Sequence, residues 1–183
     1  MRSTIVYFDE GGEANTEEVL NLASARYAEG DIEAVVIAST FGATAIKAAQ
    51  VFKDSGARLL IVGEVLDGNQ HPAPAICEQL EQGGHQVIWG LPMGQMSAFT
   101  KDDSANLVAK AYKRISEGFK VVCEIVLIAT SVGFLRPGAK VLAIAGTHRG
   151  ADTAIVAFAG SYAEFDMLQI LEVLCKPYQR SVK

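Results

Sequence analysis

Ala34-Val35-Val36-Ile37-Ala38-Ser39-Thr40-Phe41-Gly42-Ala43-Thr44-Ala45 decides how the rest of the chain is read. Its first five residues are continuously apolar and rich in β-branched side chains, the pattern of a strand buried on both faces. The run Ser39 to Thr44 breaks that strand, and Ala45, Ile46, Ala49 and Phe52 then recur at helical spacing until Gly56 stops them. A buried strand, a short loop and a helix in that order form the first half of a β-α-β unit.

The same alternation extends outward. Leu59 to Val62 is a second buried strand, Pro72 to Gln82 a short helix ended by Gly83-Gly84, and Gln86 to Trp89 a third strand. Toward the N-terminus, Ile5 to Phe8 reads as a strand followed by the polar turn Asp9 to Ala14. Asn15-Thr16-Glu17-Glu18 has the form of a capping box, Asn15 accepting from the first helical turn and Glu18 reaching back. Val19, Leu22, Ala23 and Tyr27 share one face of the helix that follows, and Gly30 stops it. Asp103 is placed to cap a helix carrying Leu107, Val108, Ala111, Tyr112 and Ile115, stopped by Gly118. The segment from Lys120 to Val132 is apolar nearly all round, which predicts a buried helix. Val141 to Ala145, Ala154 to Phe158 and Met167 to Leu174 supply the remaining strands. Strands alternating with helices of this length predict right-handed crossovers and a mainly parallel sheet covered on both sides.

With 183 residues, half of them hydrophobic and 20% charged, the chain has the size of one domain, read here as spanning 1–183. A net charge of -5 argues against a nucleic-acid or anionic-membrane surface, both of which need a basic field. Any anion site must therefore be local. Cys77, Cys123 and Cys175 are odd in number, widely spaced and without CxxC pairing, so neither a disulfide framework nor a zinc site is expected. No metal is expected, and the reduced cysteines point to the cytoplasm. Met1 leads into an apolar run too short for a signal peptide, and Val121 to Leu135 is too short, and too interrupted by Glu124, to span a bilayer.

Two loops have the composition of ligand loops, and each follows a predicted buried strand. The first is Ser39 to Thr44, whose hydroxyls and whose position at a helix N-terminus suit an anion, although Ser39 or Thr40 capping that helix explains them as well. The second is Gly146-Thr147-His148-Arg149-Gly150-Ala151-Asp152-Thr153. Its glycines let backbone N–H groups approach an anion, its threonines can donate, and Arg149 can fork onto a phosphate; a solvated strand connection has the same composition. In open α/β sheets, ligands bind beyond the carboxyl ends of strands where the strand order reverses. Glu124, within Val122-Cys123-Glu124-Ile125-Val126-Leu127, must find partners or stay protonated; it faces a ligand cavity, or it caps a backbone group or points out near the first turn of its helix. His71 and His85 are isolated, and His148 beside Arg149 either contacts a ligand or is exposed. The loop Gly90 to Phe99 suits a lid, an oligomer contact or a packed surface loop. No GxGxxG, GxxxxGK[ST], G-x-S-x-G or HExxH motif is present, so dinucleotide, P-loop, hydrolase and metalloprotease readings lack support.

The segments Ala34 to Ala45, Ala57 to Val62 and Val141 to Ala154 resemble the C-terminal α/β domain of pyruvate kinase, where a strand runs into a Ser/Thr-rich phosphate loop. Asn15-Thr16-Glu17-Glu18, Cys123-Glu124-Ile125 and Arg149-Gly150-Ala151-Asp152-Thr153-Ala154 look more like the stand-alone archaeal and bacterial proteins related to that domain. The resemblance implies a three-layer α/β/α sandwich, its sheet mostly parallel with an antiparallel last strand, and the two loops side by side at the reversal of strand order. It also implies a phosphorylated ligand, FMN by likeness to the stand-alone proteins, and a homo-oligomer. The residues implied in cofactor binding are Asn15, Thr16, Ser39, Thr40, Phe41, Gly42, Thr44, Glu124, Gly146, Thr147, His148, Arg149, Gly150, Asp152 and Thr153. A redox-active flavin makes the protein an oxidoreductase; the alternative is a regulatory domain that senses a sugar phosphate and does no chemistry. The catalytic barrel of pyruvate kinase has no counterpart here, so its phosphoryl transfer does not carry over. Thr40-Phe41-Gly42 departs from the more polar loop of pyruvate kinases and leaves room for an aromatic contact with a flavin ring.

Overall fold

The computed structural model describes residues 4–66, 68–95 and 103–179. The elements in chain order are β1 (Val6–Phe8), α1 (Thr16–Tyr27), β2 (Ala34–Ala38), α2 (Ala43–Val51), β3 (Leu59–Val62), a small hairpin of β4 (Glu64–Leu66) and β5 (Asn69–His71), α3 (Pro74–Gln82), β6 (Gln86–Ile88), α4 (Ser104–Tyr112), α5 (Glu117–Ser131), β7 (Lys140–Ala145), β8 (Thr153–Phe158) and β9 (Gln169–Pro177). Seven strands form one sheet in the order β1-β9-β8-β7-β2-β3-β6.

The pairings of β1 with β9, β7 with β2, β2 with β3 and β3 with β6 are parallel, as the continuously apolar strands predict. The exception differs from the expected one. β8 is the reversed strand, antiparallel to both β7 and β9, while the last strand, β9, runs parallel to β1 and with the rest of the sheet. No α-helix separates β7, β8 and β9 in the chain, only a single 3-10 turn at Phe165–Met167, and a strand that follows its neighbour without a crossover helix must return beside it.

Successive residues of the central strands point into two different cores. Val35, Ile37, Leu59 and Ile61 pack with α1, α2 and α3 on one face. Val36, Leu60, Val62 and Ile88 pack with α5 on the other. α5 is buried along nearly its whole length, from Gly118 to Thr130 apart from Lys120 and Val121, which explains its apolar character all round. No helix among the described residues is long and apolar enough to cross a membrane.

Several local expectations change. Asn15 occupies the N-cap of α1 but makes no cap bond there; its side-chain amide instead donates to Glu10 O (2.8 Å) and Gly12 O (3.4 Å), bracing the preceding turn. Asp103 likewise makes no cap bond and accepts from Asn106 Nδ2 at 3.0 Å. α4 ends at Tyr112, before the apolar stripe runs out, and Gly118 stops nothing: it sits in the first turn of α5, whose cap is Ser116 accepting the Phe119 amide at 2.9 Å. A Cβ at Gly118 would lie 2.3 Å from Thr153 Oγ1, so the glycine lets α5 close onto the start of β8. The β4–β5 hairpin has no apolar alternation to announce it, because its side chains are mostly exposed.

Candidate functional site

Beside β2, the sheet continues through β3 and β6 in one direction and through β7 in the other. That is a reversal of strand order, and the register Ile37↔Ile144 brings the C-terminal ends of β2 and β7 to one level. The two loops read from the sequence therefore lie next to each other there. A cavity of about 510 Å³ opens between them, within the range of roughly 300–1,000 Å³ usual for small-molecule sites.

One side of the cavity is polar. Gly42 caps α2 in the left-handed conformation (φ 89°), and a Cβ there would sit 2.5 Å from Ile76 Cγ2. This tight turn aims the first turn of α2, with Ala43 and Thr44, into the cavity. First-turn amides have no intrahelical acceptor and sit at the positive end of the helix dipole. Ser39 Oγ accepts the Ala45 amide at 3.2 Å, so its capping role is real and coexists with its place on the cavity wall. Thr40 lines the cavity with its hydroxyl donated to Glu64 Oε2 at 2.7 Å. Phe41 is 57% exposed, lines the same space and meets the His71 ring edge-on at 5.4 Å.

From the other loop, Gly146, His148, Arg149 and Gly150 reach the cavity. His148 is the one non-glycine residue with positive φ (63°) among the described residues. Arg149 is exposed and its guanidinium has no hydrogen bond or ion pair among the described residues. Lys47, on the cavity side of α2, is in the same condition. Two unpaired cations thus border one cavity in a chain whose net charge is negative.

Thr147, Asp152 and Thr153 stand behind the cavity wall rather than on it. Asp152 is fully enclosed, accepting the amides of Thr147 and Gly12 on Oδ2 (2.8 Å each) and the Thr153 hydroxyl on Oδ1 (2.7 Å). Thr16 reinforces the join: its hydroxyl donates to Glu13 O at 2.7 Å and accepts the Ala151 amide at 3.0 Å, while the residue also borders the cavity. These bonds tie the 10–16 turn to the 146–153 loop and set the latter's shape. Asn15 and Gly42 do not line the cavity, and act through the turns they hold.

The far wall is α5, where Val121, Ile125 and Ile128 are apolar and Glu124 is nearly buried. Glu124 Oε1 accepts the Met93 amide at 2.7 Å and Oε2 pairs with Lys120 Nζ at 2.5 Å, so both readings of this carboxylate hold: it binds a backbone group and it borders the cavity. Leu91 O accepts the Tyr162 hydroxyl at 3.0 Å, and that phenol is held above its ordinary range by burial and, secondarily, by the Glu124 charge. The described part of the Gly90 to Phe99 loop, Gly90 to Gln95, is fastened at these two points and contributes Pro92 to the wall. Met96 to Phe99 lies outside the described residues.

Lys47, Lys120, Glu13 and Pro92 are cavity residues that the loop motifs do not reveal. Helical spacing signals two of them: Lys47 is one turn beyond Ala43 and Thr44, and Lys120 one turn before Glu124. Among the described residues no group of three or more His, Cys, Asp or Glu is placed to hold a metal ion. Fold and site together define an α/β protein with a crevice at a strand-order reversal. No family model matches the chain.

Proposed function

We propose that the crevice binds a phosphate ester with a flat heterocyclic body, FMN foremost. The observation that carries this is the pair of unpaired cations, Lys47 and Arg149, bordering the same cavity as the first turn of α2. Helix-terminal amides and a guanidinium are the groups that recur around phosphates, and the shared requirement of phosphate recognition is met at one end of the space. The cavity also offers apolar wall at Val121, Ile125, Ile128 and Pro92, with Phe41 exposed on its lining, which suits a ring. The donor set therefore fits FMN. Bound flavin supplies hydride and electron chemistry, and its use in turnover makes the protein an oxidoreductase; this chain's residues bind it, orient it and exclude water from one ring face.

The finer fold reading belongs to the same proposal: a three-layer α/β/α arrangement like that of the pyruvate kinase C-terminal domain, self-associating, in the cytoplasm. Three buried, unpaired thiols support the reducing compartment. The competing reading, a sugar-phosphate sensor without chemistry, draws on the same cations and helix terminus.

Titration of the purified protein with FMN, riboflavin, inorganic phosphate and a sugar bisphosphate separates these. Quenching of flavin fluorescence by the protein, with FMN bound far more tightly than riboflavin, is the expected result. Colourless protein that neither binds FMN nor is stabilised by it overturns the flavin reading, and stabilisation by the sugar bisphosphate alone establishes the sensor.

A further inference from the structure

We propose that Lys120 and Glu124 read the ring of the ligand, selecting a heterocycle whose edge sets a hydrogen-bond acceptor beside an N–H donor, as the imide edge of FMN does. The inference rests on the reading of the crevice as a phosphate-ester site.

Its basis is a donor–acceptor pair on an apolar wall whose members bond each other and keep hydrogen-bonding capacity to spare. Lys120 and Glu124 are i,i+4 neighbours on α5, set among Val121, Ile125 and Ile128 on the cavity side. Their side chains are only 16% and 8% exposed. An ion pair withdrawn this far from water is a poor source of stability unless its remaining protons and lone pairs also find partners. An ammonium has three protons, and the one described partner of Lys120 is Glu124 Oε2. Glu124 has used one lone pair on each oxygen, for Lys120 and for the Met93 amide, and keeps the capacity to accept again. The pair can therefore offer the crevice one donor and one acceptor 2.5 Å apart, with the acceptor pinned in place by the backbone of Met93.

A flat ring lying against Val121, Ile125 and Ile128 would bring its edge to this pair. A carbonyl oxygen then accepts from Lys120 and the adjacent N–H donates to Glu124, which leaves neither group without a partner. A ring edge bearing two acceptors would face the carboxylate with a lone pair. A ring edge bearing two donors would face the ammonium with a proton. The two cations of the cavity that have no partner among the described residues, Lys47 and Arg149, are left for the phosphate.

The experiment pairs a modified ligand with a modified protein. Wild-type protein is titrated with FMN and with N3-methyl-FMN, which lacks the imide proton; methylation should weaken binding at least about tenfold, the scale for a lost buried hydrogen bond. Lys120→Met should weaken FMN by a similar factor while thermal stabilisation by inorganic phosphate persists. Equal affinity for FMN and N3-methyl-FMN overturns this inference and leaves the phosphate-ester reading standing. Loss of phosphate stabilisation in Lys120→Met also overturns it, by placing the lysine at the phosphate. Failure of wild-type protein to bind FMN at all overturns this inference together with the flavin reading. The methylated ligand needs no variant, so the test stands even if Lys120→Met does not fold.

Discussion

Asp152 accepts the backbone amide of Gly12 at 2.8 Å, joining two positions 140 residues apart in the chain through a carboxylate that has no contact with solvent. The same oxygen accepts the Thr147 amide. A carboxylate buried without a cation must be held by N–H and O–H donors alone, and three supply that here. Asp152→Ala leaves the Gly12 and Thr147 amides without their acceptor, at about 1–3 kcal/mol for each orphaned buried group. A fall in unfolding free energy on the order of 3 kcal/mol, measured by urea denaturation, is expected; an unchanged midpoint would show the clasp to be idle.

Gly42 and Ile76 make a second coupled pair. Gly42→Ala places a β-carbon against Ile76 Cγ2 at 2.5 Å while holding φ at 89°, so it carries both a clash and backbone strain. Left-handed strain costs roughly 1–2 kcal/mol and overpacking about 1–3 kcal/mol. Ile76→Ala removes the clash but not the strain. The double variant should therefore be more stable than the sum of the two single changes predicts, and a thermal-denaturation cycle measures the difference.

Arg149 is exposed and touches no partner among the described residues, so its removal should spare the fold and harm only binding. Arg149→Ala is expected to weaken FMN by about 1.5–3 kcal/mol, the range for a charge-assisted hydrogen bond. Its unfolding midpoint should match that of the parent. Unchanged FMN affinity would move the phosphate away from this loop.

Acid should act first at Arg26. Its guanidinium bridges Glu172 (2.7 Å) and Asp31 (2.6 Å), and its hydrogen bonds hold both carboxyls below their ordinary values of 4.5 and 3.8. Groups depressed in the folded state leave the unfolded chain to bind protons first. The network's contribution is thus complete above about pH 4.5 and is lost as pH falls from there through the lower folded values. Glu172→Gln should flatten the acid limb of a plot of urea midpoint against pH, and an identical limb would exclude this carboxylate as its source.

Burial pushes the Cys123 and Cys175 thiols up to about 12 and also raises Cys77. None is expected to form the thiolate needed for attack on a disulfide reagent at pH 8. Labelling of native protein should therefore wait on unfolding, with all three thiols reacting promptly in denaturant. Fast labelling of any one in the native protein would contradict its enclosure.

The central strands and the helices between them were legible because Ala34 to Ala38, Leu59 to Val62 and Val141 to Ala145 are apolar without alternation, and a doubly covered parallel strand is what produces that pattern. The adjacency of the two loops followed from it, since both leave strands at the same end of the sheet. Hidden were features set by contacts distant in sequence. Asn15 has the chemistry of a cap, yet the carbonyls of Glu10 and Gly12 compete successfully for its amide. Gly118 has the look of a terminator, but its small size answers to Thr153 on another element. Asp152 and Thr153 carry ligand-type side chains that the fold turns inward. Lys47 and Lys120 belong to no loop motif; their one-turn spacing from Thr44 and Glu124 is the sole sequence signal, and the cavity is what gathers them.

The reversed strand β8 gives the two rims of the crevice unequal mechanical character. The 146–152 segment is anchored at both ends by paired strands, Ala145 lying opposite Thr153, and is riveted beneath by Asp152. The 39–42 segment is anchored on one side by β2 and on the other opens into α2, which packs on the sheet through side chains alone. One rim is therefore fastened by backbone pairing at both ends, and the other by backbone pairing at one end and by side-chain packing of a helix at the other. The placing of that second rim is thus decided by side chains, Ile76 against Gly42 foremost, where the first is decided by main chain.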